Sequence, residues 1–213
     1  SFGESENATV RLSNLKVSLD HLEFTLRIDN KDYPIILNVI GEHNALNAAA
    51  AATLAFAAGA KGEKIQEGLN LSSNFKGRLN IKDYGNFTLI DDAYNASFNA
   101  VLSAAKTLSL CKGHRVMIFG DMGELGDESI NLHKQVGEYA KIYVDELLCV
   151  GPLSSYSVKA FGNNAHHFNC HEDLVKYAVG LLQGQYCSFL VKGSHSMHMQ
   201  TVSDGLIIHG ERE

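Results

Sequence analysis

The sequence predicts an α/β protein built in two parts. Residues 8–40 alternate between apolar and polar side chains, which is typical of strands, and an alanine-rich helical stretch follows them. From residue 77 onward, short apolar runs alternate with amphipathic helical stretches. Repeated β–α units of this length imply a mostly parallel, Rossmann-like sheet with helices on both faces, preceded by β-hairpins and helices.

The first part contains three predicted strands, at residues 8–17, 22–28 and 33–40, which are separated by polar turns and indicate a hairpin or meander. A helix is predicted over residues 45–58, because Gly59 occupies the position where glycine commonly ends a helix. A short helix over 63–69 follows. The polar run 70–74 is the predicted linker, so we expect domains at residues 1–75 and 76–213.

The second part contains predicted strands at residues 79–84, 87–90, 115–119, 146–150, 166–168 and 188–191. Three helices between them present apolar residues at a spacing near 3.6. Their apolar positions are Val101, Leu102, Ala105 and Leu108; Leu132, Val136, Tyr139 and Tyr143; and Leu174, Tyr177, Ala178 and Leu181.

Composition narrows the function classes. A net charge of −6 disfavours nucleic acid as a partner, and no apolar run reaches the roughly 18 residues of a membrane span. The four cysteines form no C-x-x-C pair and fit reduced thiols in a cytoplasmic protein. The chain opens at Ser1 without a signal sequence, and we expect a fragment that starts inside a larger protein.

Two segments carry side chains suited to a nucleotide. His43, Asn44 and Asn47 share one face at the start of the first helix, and amide groups match the edge of an adenine ring. Asn44 as a simple helix cap is the structural alternative. Arg78 could reach a phosphate with its guanidinium, or form an ordinary surface ion pair.

The segment Asp91–Ser97 ends a short apolar strand, and ligands of open α/β sheets bind at the carboxyl ends of strands. Asp92 could accept hydrogen bonds from a ribose, and Tyr94 and Asn95 could line the same crevice. Organisation of a turn by Asp92 or Asn95 is the alternative. Lys192 and Ser194 occupy the same position on another strand, where they could hold a carboxylate at a helix N-terminus.

Two other patterns give weaker evidence, one for a dinucleotide site and one for a metal site. Gly120, Gly123 and Gly126 follow G-x-x-G-x-x-G rather than the dinucleotide pattern G-x-G-x-x-G, which disfavours a nicotinamide-dependent oxidoreductase. His166, His167, Cys170 and His171 lack a second ligand pair at zinc-site spacing, so we expect surface histidines and no metal site.

Taken together, the segments 41–47, 77–79, 91–98, 120–126 and 192–195 resemble the Mur ligase family, and within it the branch that adds D-alanyl-D-alanine. The resemblance implies the end of a P-loop-type central ATP-binding domain followed by the C-terminal domain. It also implies an ATP- and Mg²⁺-dependent peptide ligase of peptidoglycan synthesis, cytoplasmic and monomeric. The substrates would be UDP-N-acetylmuramoyl-tripeptide and D-alanyl-D-alanine, joined through an acyl phosphate.

The same resemblance implies a role for each candidate residue. His43, Asn44 and Asn47 would face adenine, Asp92 would bind the ribose, and Arg78 would approach the phosphates as the catalytic residue. Closure of the two domains would then assemble the ATP site. Tyr94, Asn95, Lys192 and Ser194 would lie near the incoming dipeptide.

Several features depart from the family pattern or leave alternatives open. Ser97-Phe98 replaces Asn-Pro, His195 replaces Arg, and Gln200 stands where Glu is usual. No phosphate loop G-x-x-x-x-G-K-[ST] occurs in the sequence, so we expect this chain alone to be inactive. The alternatives are a sister ligase that adds diaminopimelate or lysine, folylpolyglutamate synthase, or a non-catalytic binding fragment.

Overall fold

The computed structural model describes residues 1–72 and 79–211. The chain divides into two compact units, residues 1–74 and 75–213. Each unit has its own sheet and its own hydrophobic core. No helix in the described part of the chain is long and apolar enough to cross a membrane.

The first unit is a four-stranded sheet covered by two helices. Strands β2, β3 and β4 form the predicted antiparallel meander, and β1, which was not predicted, pairs parallel to β2. The elements are β1 (Phe2–Gly3), β2 (Val10–Val17), β3 (Leu22–Ile28), β4 (Lys31–Leu37), α1 (His43–Ala57) and α2 (Gly62–Asn70).

The turn between β3 and β4 is tighter than predicted. Asp29 and Asn30 both adopt positive φ, at 49° and 59°, which suits a two-residue hairpin turn. Strand β4 therefore begins at Lys31, and it ends three residues before the predicted end at residue 40.

Alternating apolar residues of this sheet form one buried face, on which α1 packs through alanines. Ala45, Ala48, Ala49 and Ala52 are all buried. Because their side chains are small, the helix backbone lies close to the sheet. The core of the first unit is thus the interface between the meander and its helices.

The second unit is a six-stranded sheet in the order β5-β6-β10-β7-β8-β9. All neighbouring strands are parallel except β5 and β6. The strands are β5 (Asn80–Asp83), β6 (Phe87–Asp92), β7 (His114–Gly120), β8 (Glu146–Val150), β9 (Ala165–Phe168) and β10 (Cys187–Lys192). The helices are α3 (Phe98–Leu108), α4 (Ser129–Tyr143), α5 (Ser154–Phe161), α6 (His171–Leu181) and α7 (Gln200–Gly210).

Helices cover both faces of this sheet, as predicted. Helices α6 and α7 pack on one face through Leu174, Ala178, Val202 and Leu206. Helices α3, α4 and α5 form a contiguous layer that contacts β7, β8 and β10. The predicted fold class is confirmed, although α5 was not among the predicted helices and α7 was expected only as a helix after Ser194, without bounds.

Candidate active site

The carboxyl ends of β6 and β10 lie side by side at one edge of the parallel sheet. Asp92 is the last residue of β6, Lys192 is the last of β10, and the two are register partners. Side chains that follow these strands therefore meet at the edge where ligands of α/β sheets bind.

A buried ion pair joins the two strand ends. Lys192 Nζ donates to Asp92 Oδ2 at 2.6 Å and to the Asn95 carbonyl oxygen at 2.9 Å. Only 2% of the Lys192 surface is exposed. A charge at this depth requires a partner, so the pair ties the loop after β6 to the end of β10.

Asp92 carries a second contact on its other oxygen. The Leu79 backbone N–H donates to Asp92 Oδ1 at 3.2 Å. Burial raises the pKa of the Asp92 carboxyl, and Lys192 and the Leu79 N–H oppose that shift. Within the second unit, Asp92 therefore anchors the start of β5 as well as Lys192.

The neighbouring Asp91 holds the first turn of α7. Its Oδ1 accepts from the Ser203 hydroxyl at 2.8 Å, and its Oδ2 accepts from Gln200 Nε2 at 3.4 Å. An amide at position 200 can donate to this carboxylate, whereas a glutamate there would place two acceptors together. The departure at Gln200 is thus matched to its surroundings.

The loop after β7 is fastened by Asp121. Its carboxylate accepts from the backbone N–H groups of Leu153 at 3.0 Å and Ser154 at 2.7 Å, which lie at the start of α5. Its carbonyl oxygen accepts from the Ser194 N–H at 2.9 Å. One residue thus connects the start of α5 with the loop that follows β10.

Close backbone packing surrounds Ser194. A side-chain carbon on Gly193 would lie 2.6 Å from Met199 Cγ and 3.2 Å from Gly120 Cα, so only glycine fits there. The Ser194 and Ser196 hydroxyls lie 3.0 Å apart and share a hydrogen bond. The helix expected directly after Ser194 is a three-residue 3₁₀ turn, His195–Met197, and α7 begins only at Gln200.

Three aromatic rings lie on the solvent side of these loops. The Tyr94 and His195 ring centroids are 6.0 Å apart, and those of His195 and His198 are 6.3 Å apart. Half of the Tyr94 surface is exposed. The loops after β6 and β10 thus contribute to one exposed rim.

In the first unit, the amide residues at the start of α1 contact each other. Asn47 Nδ2 donates to Asn44 Oδ1 at 3.0 Å, and Asn44 Nδ2 donates to the Ile40 carbonyl at 2.6 Å. The alternative prediction that Asn44 caps the helix is wrong, because the residue preceding α1 is Glu42 and Asn44 donates to a carbonyl. His43 is the first residue of the helix.

Arg78, the predicted catalytic residue, and Gly77 lie outside the described residues. Of the other predicted site residues, Asp92 and Asn95 both bond Lys192, and Tyr94 and Ser194 lie in the loops beside them. His43, Asn44 and Asn47 form a separate group in the first unit.

Comparison with known proteins identifies the family. Residues 77–195 match the family model described as "Mur ligase, glutamate ligase domain", which is more than half of the chain. The chain belongs to the Mur ligase family. The matched residues include the loops after β6 and β7 and residues 193–195 of the loop after β10.

Two relatives show how far the similarity to Mur ligases extends. The chain is 35% identical over 206 residues to UDP-N-acetylmuramoyl-tripeptide–D-alanyl-D-alanine ligase of Escherichia coli K12, covering 96% of this chain and 46% of that protein. The crystal structure of MurF from Acinetobacter baumannii superposes with a TM-score of 0.89 at 31% identity, covering 97% of this chain and 46% of that one. The chain thus spans about half the length of these relatives.

A more distant likeness concerns the fold alone. Mycobacterium tuberculosis folylpolyglutamate synthase, solved with ADP and AMPPCP, matches with a TM-score of 0.72 at 17% identity, covering 93% of this chain and 48% of that one. Mur ligases and this enzyme therefore share the arrangement of strands and helices described above.

The structure of this Mur ligase chain also shows the contacts of the glycine segment 120–126 and of the histidine cluster 166–171. A side-chain carbon on Gly120 would lie 2.7 Å from Met199 Sδ, which accounts for that glycine by packing. His167 Nε2 bonds the Gly151 carbonyl, whereas His166 Nε2 bonds the Tyr177 hydroxyl. Within residues 1–72 and 79–211, no group of three His, Cys, Asp or Glu side chains is placed to hold a metal ion.

Sequence reasoning missed His133, which supports the loop after β7. This fully buried ring accepts from the Met122 N–H at 3.0 Å through Nε2 and bonds the Ser129 carbonyl at 2.6 Å through Nδ1. These partners assign the proton to Nδ1. In the sequence, His133 stands only as a histidine next to Leu132, one of the predicted apolar positions of α4. Its partner Met122 lies 11 residues earlier, so no local pattern connects the two.

Proposed function

We propose that this chain is part of an ATP-dependent ligase that joins D-alanyl-D-alanine to UDP-N-acetylmuramoyl-tripeptide in peptidoglycan precursor synthesis. The proposal is supported by 35% identity over 96% of the chain to a protein of that name. The structural observation that carries it is the Lys192–Asp92 ion pair, which joins the two loops bearing the predicted substrate residues.

The proposed reaction has two steps. The tripeptide carboxylate attacks the γ-phosphorus of ATP, forming an acyl phosphate and releasing ADP. The dipeptide amine then attacks the acyl carbon, and the tetrahedral intermediate expels phosphate as the amide forms. Such chemistry requires positioning and neutralisation of charge rather than a nucleophile from the protein.

For ATP, the amide pair at the start of α1 is proposed to meet the adenine ring. Asn44 uses its amide in bonds to Ile40 and Asn47, so it orients Asn47. Asn47 is exposed and is proposed to offer its amide edge, with His43 beside it. Asp92 is proposed to accept from the ribose, because each carboxylate oxygen can accept a further hydrogen bond. Arg78 is proposed to neutralise charge on the phosphates.

For the dipeptide, the proposed contacts are Tyr94, Asn95 and Ser194, which belong to the loops after β6 and β10. Lys192 was expected to lie near this substrate. Its ammonium group is buried against Asp92 and Asn95, so we propose that it acts by holding the Asn95 loop in place.

The same proposal covers the domains, the location, the oligomeric state and the metal ion of the enzyme. Residues 1–75 are proposed to be the C-terminal portion of the central ATP-binding domain, and residues 76–213 the C-terminal domain. We propose a cytoplasmic, monomeric enzyme. Mg²⁺ is proposed to accompany the ATP phosphates, and no described residue is assigned to it, since no group of three ligating side chains occurs in the described ranges.

A phosphate-release assay on the full-length protein tests the amine specificity. With ATP and UDP-N-acetylmuramoyl-tripeptide present, we expect release to depend on D-alanyl-D-alanine. Release that depends instead on diaminopimelate, lysine or glutamate, each with its matching acceptor, would favour a sister ligase or folylpolyglutamate synthase.

The chain by itself is proposed to form no amide bond, because the phosphate loop is not in its sequence. If the chain acts alone, we propose that it is a non-catalytic binding fragment. Incubation of the purified 213-residue chain with both substrates and ATP tests this. Amide product above the level of a protein-free control would refute it.

A further inference from the structure

A groove lies between α6 and α7, on the side of these helices that faces away from the sheet. The inner side of the two helices packs on the sheet through residues such as Leu174 and Val202. The groove encloses about 520 Å³ and is lined from the other side, where Val175, Gly205 and Ile208 lie. A volume of this size is typical of sites that bind small organic molecules.

The interior of the groove is apolar. A side-chain carbon on Gly205 would lie 3.0 Å from Val175 Cγ1 and 3.2 Å from Val175 Cγ2, so the two helices approach closely at this point. Ile208, almost one turn further along α7, is 50% exposed. Two aliphatic side chains and a bare stretch of helix backbone thus form a surface that suits an apolar group of a ligand.

One polar atom at this groove is buried and has no partner. His171, the first residue of α6, lines the groove. Its Nε2 is buried, and no atom of the described residues forms a hydrogen bond with it. Buried polar atoms are usually hydrogen-bonded, so the imidazole has an unused hydrogen-bonding site here. The broad χ2 torsion of histidine allows a ring rotation that turns this nitrogen toward a ligand.

The charged side chains that line the groove are mainly acidic. Glu172 of α6 and Asp204 of α7 contribute two carboxylates, against one ammonium group from Lys176. The Asp204 carboxylate accepts one hydrogen bond, from Gln200 Nε2 at 3.1 Å, and retains capacity for more. The groove is therefore complementary to a ligand with positive charge.

We propose that the α6–α7 groove binds a small organic cation, a primary ammonium group attached to an apolar body. The apolar body lies over Val175 and Ile208, and the ammonium group donates hydrogen bonds to Glu172 and Asp204. A neutral His171 imidazole with its proton on Nδ1 accepts a further N–H through Nε2. Hydrogen bonds between ionised groups are stronger than neutral ones, so the charge of the ligand contributes to affinity.

The test is a ligand titration of the 213-residue chain at about pH 7, where carboxylates and primary ammonium groups are ionised. The probes are phenethylammonium, phenethyl alcohol as the matched neutral molecule, and phenylpropionate as the matched anion. The methyl signals of Val175, Thr201 and Ile208 are followed by NMR. We expect saturable shifts, with a dissociation constant about tenfold lower for the ammonium probe than for the alcohol. Phenylpropionate should bind most weakly.

Variants assign the preference to the charged side chains of the groove. Glu172→Gln should weaken binding of the ammonium probe about fivefold and leave the alcohol unchanged. Lys176→Met, which removes the like charge and keeps an apolar side chain, should strengthen binding of the ammonium probe. Asp173→Asn is the matched control, because this exposed neighbour of Glu172 does not line the groove. Its affinities should stay within about twofold of those of the unmodified chain.

Four outcomes would each overturn the inference: no saturable shift of the groove signals, equal affinities for the ammonium probe and the alcohol, tightest binding of phenylpropionate, or equal losses for Asp173→Asn and Glu172→Gln. The substituted side chains are exposed, so the folded spectrum should be preserved in every variant. The titration requires neither ATP nor turnover, and its result is therefore independent of the proposed ligase reaction.

Discussion

The Lys192–Asp92 pair is the residue-scale feature on which the candidate site depends. It joins positions 100 residues apart and satisfies a cation that is almost fully buried. Removing one member of such a pair leaves the other without compensation, so its loss costs more than the pair itself contributes.

Lys192→Met should lower the free energy of unfolding by about 3 kcal/mol in urea titrations followed by circular dichroism. Lys112→Met, which removes an exposed and solvent-screened ion pair to Asp83, should cost much less. The double variant Lys192→Met/Asp92→Asn should be more stable than Lys192→Met alone. Equal losses for Lys192→Met and Lys112→Met would contradict this account.

A second ion pair gives a stability contribution that depends on pH. The Asp145 carboxylate accepts from Arg115 at 2.7 Å and 2.9 Å, and this bidentate bond lowers the pKa of Asp145. A lowered pKa in the folded state means that the contribution is present above the ordinary value of about 3.9 and is lost as pH falls below it.

Asp145→Asn should therefore cost about 1 kcal/mol near neutral pH, since both partners are partly exposed. The difference between the two proteins should shrink as pH falls below about 4 in urea titrations. Glu4→Gln, an exposed carboxylate, serves as the control. A difference that is constant with pH would refute the assignment.

At the residue scale, the sequence predicted several residues of the candidate site but not the contacts between them. It selected Asp92, Asn95 and Lys192, but assigned them to two substrates, because local pattern carries no information on a contact 97 or 100 residues away. Asp121 was only part of a glycine-rich segment in the sequence. Its role at the start of α5 depends on N–H groups more than 30 residues further on.

At the scale of elements, the packing of α4 against α5 depends on one glycine. A side-chain carbon on Gly137 would lie 2.2 Å from the Ser157 carbonyl oxygen, which belongs to the backbone and cannot turn aside. Gly180 in α6 has no atom within 4 Å of the same position. Both glycines lie in helices, so the two sites differ in packing alone.

Gly137→Ala should lower the free energy of unfolding by more than about 2 kcal/mol, since the helices must separate. Gly180→Ala should raise it by about 0.5–1 kcal/mol through helix propensity. Thermal and urea unfolding of the two variants measure both. A Gly137→Ala protein as stable as Gly180→Ala would show that α4 and α5 do not pack as described.

Two strands show where sequence patterns are enough to predict the bounds of an element. Strand β3, with alternating burial, and β8, which is buried throughout, begin and end where predicted. The bounds of helix α7 were not predicted, because Gly205 and β-branched residues weaken its pattern. Tertiary packing supplies the missing stability: Gly205 lets Val175 of α6 approach, and Val202 and Leu206 are buried.

At the scale of the whole molecule, the predicted α/β class is confirmed, with an antiparallel meander in one unit and a mostly parallel sheet in the other. The period-2 and period-3.6 patterns predicted this class because each unit buries its own apolar faces. Strand order was beyond the sequence. Strand β10 is last along the chain yet lies between β6 and β7, and this placement brings Lys192 to Asp92.

The most direct test of the central claim follows an oxygen isotope in the full-length protein. UDP-N-acetylmuramoyl-tripeptide labelled with ¹⁸O in its reacting carboxylate is incubated with ATP and D-alanyl-D-alanine, and the released phosphate is analysed by mass spectrometry. An acyl phosphate intermediate transfers one labelled oxygen to phosphate, so we predict singly labelled phosphate in amounts equal to the amide formed. Unlabelled phosphate, or release that does not require the dipeptide, would contradict the proposed ligase reaction.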